Sequence, residues 1–311
     1  MVMLDRWKER GVLSLEQYAL LDGLSRQQPF SVFIEFNILL YAGVVAFVGG
    51  LAWTVQSYSR ELGDVVVLTV LSGILAGCLW YCFSRAPAWS AAESASPSLV
   101  FDYVLYLGSL TWSVELGYLE GRLHVLSGQW DIYLLATSCF FFALAYRFDN
   151  RLVLSLALSA LAGWFGIRIY HWPGGNEESY RQAAILYSAL IGVAGIALER
   201  LSIKAHFFGT YLNLAANVLF FAILFGVFER QGYGLWFLFL LAGCGASLAY
   251  GLKKKQFSFV AYAAVYGYVG VSSVLIRDVD DFNLVLTYFV VTGILMLVLL
   301  AVIARRFGRE A

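Results

Sequence analysis

The sequence predicts an all-α fold: a polytopic integral membrane helix bundle of about ten transmembrane helices, preceded by a short cytoplasmic helical hairpin. Three observations predict it. Hydrophobic types make up 60% of the 311 residues and charged types only 14%, where soluble domains run near half apolar and about a quarter charged. The apolar residues fall in blocks of roughly 20, the length that crosses about 30 Å of hydrocarbon at about 1.5 Å per residue. Fifteen of the 21 Lys and Arg fall in the head, the tail and alternate connections, the asymmetry expected of a chain threaded back and forth through a bilayer.

Residues 1–30 read as the hairpin. Leu4, Trp7 and Val12 recur at near-helical spacing, and Gly11 marks a stop. Ser14 and Gln17 form a capping-box pattern for a second helix. Tyr18, Leu21 and Leu24 supply its apolar stripe, with Leu20 beside them. So small a piece cannot hold its own core. It is expected to pack on the membrane domain or to dock a protein partner. The head lacks the apolar run of a signal peptide, so the first apolar block reads as a retained span.

Ten spans follow within residues 31–305: 32–56, 63–83, 99–120, 129–147, 151–170, 182–199, 206–228, 233–251, 256–276 and 282–304. A short basic tail, 306–311, closes the chain. Most linkers are short, so neighbouring helices should be antiparallel. The linker 84–98, rich in Ala, Ser and Pro, is expected to be loosely ordered. Residues 171–180 carry a turn signal at Pro173, Gly174 and Gly175. All four prolines lie outside the spans.

The head, Arg85, Arg147, Arg151, Arg200, Lys204, Lys253 to Lys255, Arg305 and the tail hold the fifteen basic residues. Arg60, Arg122, Arg168, Arg181, Arg230 and Arg277 lie on the other side. The positive-inside rule therefore places both termini in the cytoplasm. Net charge is zero, and no basic run carries interleaved aromatics, which points away from nucleic acid.

Helices in lipid associate through close backbone approach rather than apolar burial. Small residues at four-residue spacing offer it: Ala42, Ala46 and Gly50; Ser155, Ser159 and Gly163; Ala184, Ser188 and Gly192; Gly243, Ser247 and Gly251. The four cysteines, Cys78, Cys82, Cys139 and Cys244, lie inside apolar blocks and read as free thiols. No cofactor or metal site is expected.

Ionisable groups inside spans are the first functional suspects. Glu115 lies about 7–8 Å from the outer end of the third span. With Asp131, Arg168 and His171 it is a candidate outer-side polar cluster or ion-pair set. Asp102 and Glu35 lie near the cytoplasmic ends and read as interfacial anchors. Deeper, Asn213 and Asn217 share one face of the seventh span, and Tyr262 and Tyr266 share one face of the ninth. If those faces meet, they make a neutral polar site for a small solute. Catalytic motifs such as HExxH, GxSxG or a Walker loop are absent. His124, His171 and His206 are far apart. The run Arg277, Asp278, Asp280, Asp281 lacks calcium-loop spacing and reads as a solvated loop.

The head LDRWKERGVLSLEQY, with Leu4, Trp7, Gly11, Val12, Leu13, Ser14 and Gln17, resembles the start of a bacterial multi-pass family known as domain of unknown function 2157. The run AYRFDNRLVLSLALSALAGWFG, Ala145 to Gly166, is similar to that family's arginine-flanked span. The likeness covers about half the chain. It implies a bacterial inner-membrane protein with a cytoplasmic hairpin before many helices, and brings no activity or site residue with it. The expected function is transport or permeation of a small solute or ion through a polar cavity between helices. The alternative is a non-catalytic scaffold, assembly or sensory protein that docks a partner through its hairpin. A lipid-directed enzyme would need Glu115, Asp131 and His171 to converge.

Overall fold

The architecture was taken from a computed structural model. It describes Ser14 and residues 33–126, 129–170, 177–229 and 232–310. The expected N-terminal hairpin, the turn at Pro173 to Gly175 and His171 lie outside the described residues. The chain divides into two compact units, Met1–Gly63 and Asp64–Ala311.

Within the first unit the described helix is α1, Phe33–Leu62. Among its described residues the second unit holds nine long helices: α2 Asp64–Arg85, α3 Leu99–Leu123, α4 Trp130–Phe148, α5 Arg151–Tyr170, α6 Glu177–Arg200, α7 Phe208–Phe228, α8 Tyr233–Lys254, α9 Phe257–Leu275 and α10 Phe282–Glu310. One 3-10 turn, Ala205–Phe207, leads into α7. No strand occurs among the described residues.

Among the described residues, eight helices, α2 and α4 to α10, are long and apolar enough to cross a membrane. Two of the ten expected spans differ. Helix α3 has the length, but Asp102, Glu115, Glu120 and Arg122 dilute its apolar surface. In α1 the apolar stretch found is Leu40–Val55. Wide apolar exposure supports contact with lipid: Leu284, Leu286, Ile294, Leu295, Leu297 and Val298 of α10 are all at least half exposed. Soluble monomers rarely leave apolar patches that large open to water.

Helix ends follow local chemistry. Ser98 caps α3 by accepting a hydrogen bond from the Phe101 N–H at 3.2 Å, which meets one of the donors a helix start leaves open. Helices α3, α4 and α8 stop at left-handed residues, His124, Asp149 and Lys255. Each returns its N–H to the last turn, at Glu120, Ala145 and Gly251 respectively. A left-handed residue after the last turn closes a helix by this same bond, though glycine is the usual choice.

Sequence neighbours pack as antiparallel pairs: α2 with α3, α4 with α5, α6 with α7, and α8 with α9. Along α2 and α3, Gly108 meets Cys78, Glu115 meets Ser72 and Arg122 meets Asp64. Helix α7 is the hub, touching α5, α6, α8 and α9. One buried cluster centres on Phe101, Leu105, Leu154, Leu158 and Tyr187. A second joins Phe220, Ile223, Leu224 and Val227 of α7 to Leu240 of α8. The small-residue stripes do their work locally: Ser188 donates to Ala215 O and Ser247 to Phe259 O. All four cysteines are free.

The expectation of a loosely ordered linker between the second and third spans is corrected. Residues 86–98 form no helix, yet groups at two neighbouring turns hold them. Arg147 donates to Pro87 O, Arg151 pairs with Glu93 at 2.7 Å, and the Lys204 N–H donates to Ala91 O at 2.8 Å. An Ala-, Ser- and Pro-rich run has few side-chain groups to suggest this, because its own carbonyls are the acceptors.

Candidate functional site

Among the described residues of the second unit, four places are candidates for a functional site.

The first is where the turns after α2, α4 and α6 meet. Asp149 and Lys204 both adopt left-handed backbone, with φ of 59° and 50°. That geometry turns their side chains toward each other, and Lys204 Nζ lies 2.9 Å from Asp149 Oδ2. The other carboxylate oxygen bonds His206 Nε2. The Ser94 N–H also donates to Asp149, and Lys204 Nζ donates to Ala92 O at 3.3 Å. Lys204 is only 1% exposed. Burial would raise the Asp149 pKa; the bonds from Ser94, Lys204 and His206 outweigh it and hold the carboxyl below its usual 3.8. Sequence reading missed this cluster.

The second is the seam between α7 and α9. Tyr262 donates to Asn213 Oδ1 at 3.1 Å, and Tyr266 donates to Asn217 Oδ1 at 3.1 Å. The amide nitrogens turn back to their own helix, Asn213 to Gly209 O and Asn217 to Asn213 O. Tyr266 stacks on Phe220 with centroids 4.9 Å apart. The four residues chosen as a solute site thus meet one another as two rungs of a ladder.

The third is the outer-side set. Asp131 pairs with Arg168 across α4 and α5 at 3.2 Å. Glu115 bonds elsewhere: its Oε1 accepts from Ser72 of α2. Nearby, Tyr118 donates to Asp64 at 2.6 Å, and Arg122 lies 3.4 Å from the same carboxylate. Asp102, read as an interfacial anchor, accepts from Asn150 at 3.0 Å. The side chain of Glu35 lies outside the described residues. In the Arg277 to Asp281 run, Arg277 donates to Val227 O and sits over the Tyr233 ring, while Asp281 caps α10 through the Asn283 N–H.

The fourth is a groove of about 650 Å³ between α5, α6 and α7. Small residues open it: Ala162 and Gly166 of α5, Ala184 of α6 and Ala222 of α7. Phe165, Phe221 and Phe225 supply aromatic walls. One end is closed by Arg181, 9% exposed, which pairs with Glu229 and stacks over Trp236 at 4.4 Å. A guanidinium on an indole face gains cation–π attraction when withdrawn from water. Sequence reading assigned Ala184 to a packing stripe, and nothing in its spacing distinguishes a gap from a contact.

Among the described residues no group of three His, Cys, Asp or Glu side chains is placed to hold a metal ion. No family model, no curated protein and no solved structure matches the chain.

Proposed function

We propose that the chain is a non-catalytic, multi-pass protein of the bacterial inner membrane that takes up a small amphiphilic molecule from the bilayer, as a carrier or binding protein. Ten crossings, with both termini cytoplasmic, fit the uneven Lys and Arg distribution. The resemblance of the head and of residues 145–166 to domain of unknown function 2157 supports the bacterial origin.

The observation that carries the ligand class is the lateral groove. Its walls are apolar and aromatic, the usual lining of a site for an apolar body. Its polar end is the Arg181–Glu229 pair, already self-neutralised. Such an end favours a neutral or zwitterionic headgroup over a bare anion, which would have to displace Glu229. The test is binding of dansyl-phosphatidylethanolamine to the full chain in nanodiscs. Ala184→Phe, which fills the groove from α6, should weaken binding at least several-fold. Equal binding by the variant would remove the groove from the reading.

The polar seam favours a second reading. A transport path through α7 and α9 requires the Asn213–Tyr262 and Asn217–Tyr266 bonds to open. As long as they hold, the seam is a joint, which suits a scaffold that docks a partner through its N-terminal hairpin. Deleting residues 1–28 and comparing co-purified proteins tests the scaffold. Solute uptake into vesicles after replacing Asn217 and Tyr266 tests the path.

A further inference from the structure

The groove between α5, α6 and α7 occupies one half of their length. On α7 its lining runs from Val218 to Glu229, about 16 Å at about 1.5 Å per residue. Val218 is the middle residue of α7, Phe208–Phe228. The groove therefore begins at the Arg181–Glu229 end and stops at mid-helix. Half of a hydrocarbon layer about 30 Å thick is about 15 Å, the depth of one leaflet.

The stop has a local cause. Tyr187 of α6 donates to Leu158 O of α5 at 2.5 Å. The next residue, Ser188, donates to Ala215 O of α7 at 2.8 Å. Further along, α6 and α7 close up: a Cβ on Gly195 would lie 2.7 Å from Tyr211 Cβ. In the other half, a Cβ on Gly166 would meet nothing within 4 Å. Small residues thus draw the helices together on one side of Tyr187 and leave space on the other. Tyr187, Val218 and Ala162 form the floor. The mouth is lateral, because Phe221, Phe225 and Phe228 line the groove and are each about half exposed.

These dimensions select the occupant. A volume of about 650 Å³ over about 16 Å leaves a mean cross-section of about 40 Å², about half that of a helix about 10 Å across. A further transmembrane helix does not fit, whereas an extended hydrocarbon chain does. At the interface end, Arg181 and Glu229 present one charge of each sign, which complements the phosphate and the ammonium of a zwitterionic headgroup.

We propose, resting on the groove reading above, that the groove holds one acyl chain of a zwitterionic phospholipid taken from a single leaflet, and that Val218 and Ala162 set the chain length it accepts. The Lys and Arg distribution makes that the outer leaflet. The chain enters sideways past the three phenylalanines and ends against the floor. The headgroup stays level with Arg181 and Glu229. The floor closes this groove toward the opposite leaflet, so loading and release share one side.

The experiment is native mass spectrometry of the full chain in detergent, titrated with lysophosphatidylethanolamines of graded chain length. In the wild type, affinity should rise with chain length. Val218→Phe from α7 and Ala162→Leu from α5 both raise the floor. Each should weaken the long chains at least several-fold and leave the short ones unchanged. Circular dichroism and size exclusion identify the folded variants, and either one suffices. The wild type should hold lysophosphatidylethanolamine several-fold tighter than lysophosphatidylglycerol of equal length, and Glu229→Gln should remove that preference. Equal weakening at every length in the floor variants, or tighter wild-type binding of lysophosphatidylglycerol, overturns this inference while Ala184→Phe still supports the groove. If Ala184→Phe weakens none of these lipids, the groove reading itself falls and this inference with it. A changed oligomeric state in the floor variants, with lipid binding unaltered, assigns the groove to a second copy and also overturns it.

Discussion

Lys204 and Asp149 form an ion pair whose two side chains are almost wholly closed to solvent, 2% and 3% exposed, at the point where three inter-helix turns meet. Asp149 ends α4 and Lys204 precedes the 3-10 turn Ala205–Phe207, both in left-handed backbone. The pair therefore fixes the exits of α4 and α6 and, through Ser94, Ala91 and Ala92, the linker 86–98. Two neighbouring hairpins are joined at this end by a charge pair beside the apolar contact of Tyr146 with Phe207.

Removing one member should cost more than removing both. Lys204→Met leaves the Asp149 carboxylate buried without its main counter-charge, a change of about 3–5 kcal/mol for buried pairs. The double variant Lys204→Met, Asp149→Leu removes both desolvation penalties and should recover part of that loss. Thermal unfolding of both variants in one detergent checks this. A double-variant loss equal to or larger than the Lys204→Met loss would overturn this expectation.

The same carboxylate sets an acid limit. Its pKa is depressed in the folded chain, so the folded state binds this proton less readily than the unfolded state. The contribution is whole above the unfolded carboxyl value, 3.8, and drains away as pH falls through the lower folded value. Unfolding temperature measured from pH 6 down to pH 3 should fall at the acid end. In Asp149→Asn the stability starts lower and that part of the acid slope is absent.

The helices were legible because apolar blocks of about 20 residues have few other uses. Helix α3 shows the limit of that reasoning. Composition alone cannot show that Asp102 meets Asn150, that Glu120 accepts from the Leu126 N–H, or that Arg122 meets Asp64. The α7–α9 seam was legible because each helix carries its two polar residues four apart, which places them on one face. Asp149 and Lys204 were not, since they sit in separate turns and look like ordinary loop charges. The groove was hidden for another reason. A missing side chain reads the same whether a neighbour fills the space or leaves it empty.

The Asn–Tyr rungs should each contribute modestly. Hydrogen bonds between helices in membranes average about 0.6 kcal/mol, with larger cases near 1.7. Tyr262→Phe and Tyr266→Phe remove one donor each and keep the ring, including the Phe220 stack of Tyr266. Each should lower stability by about that amount, and a double-mutant cycle of Tyr266 with Asn217 should return a coupling of similar size. A loss of several kcal/mol from either hydroxyl would mean that the seam holds a larger network than two rungs.

Glycines at the close crossings should be far less tolerant than those facing open space. A Cβ on Gly251 would meet Gln256 O and Val260 N, both backbone atoms, at 3.0 Å. Neither can rotate away, because Gln256 is the N-cap of α9 and Val260 lies in its first turn. A Cβ on Gly226 would run into the Trp236 indole, a rigid ring that also carries the Arg181 guanidinium. Gly251→Ala and Gly226→Ala should each destabilise the chain by about 1–3 kcal/mol, the usual range for overpacking. Gly245→Ala, with nothing within 4 Å of its Cβ, should be neutral or slightly stabilising, because alanine favours the helix by about 1 kcal/mol over glycine. Unfolding temperatures of the three variants under one condition give the comparison. The Gly226 variant carries a second readout, since displacing Trp236 should change its fluorescence and loosen the Arg181–Glu229 end of the groove.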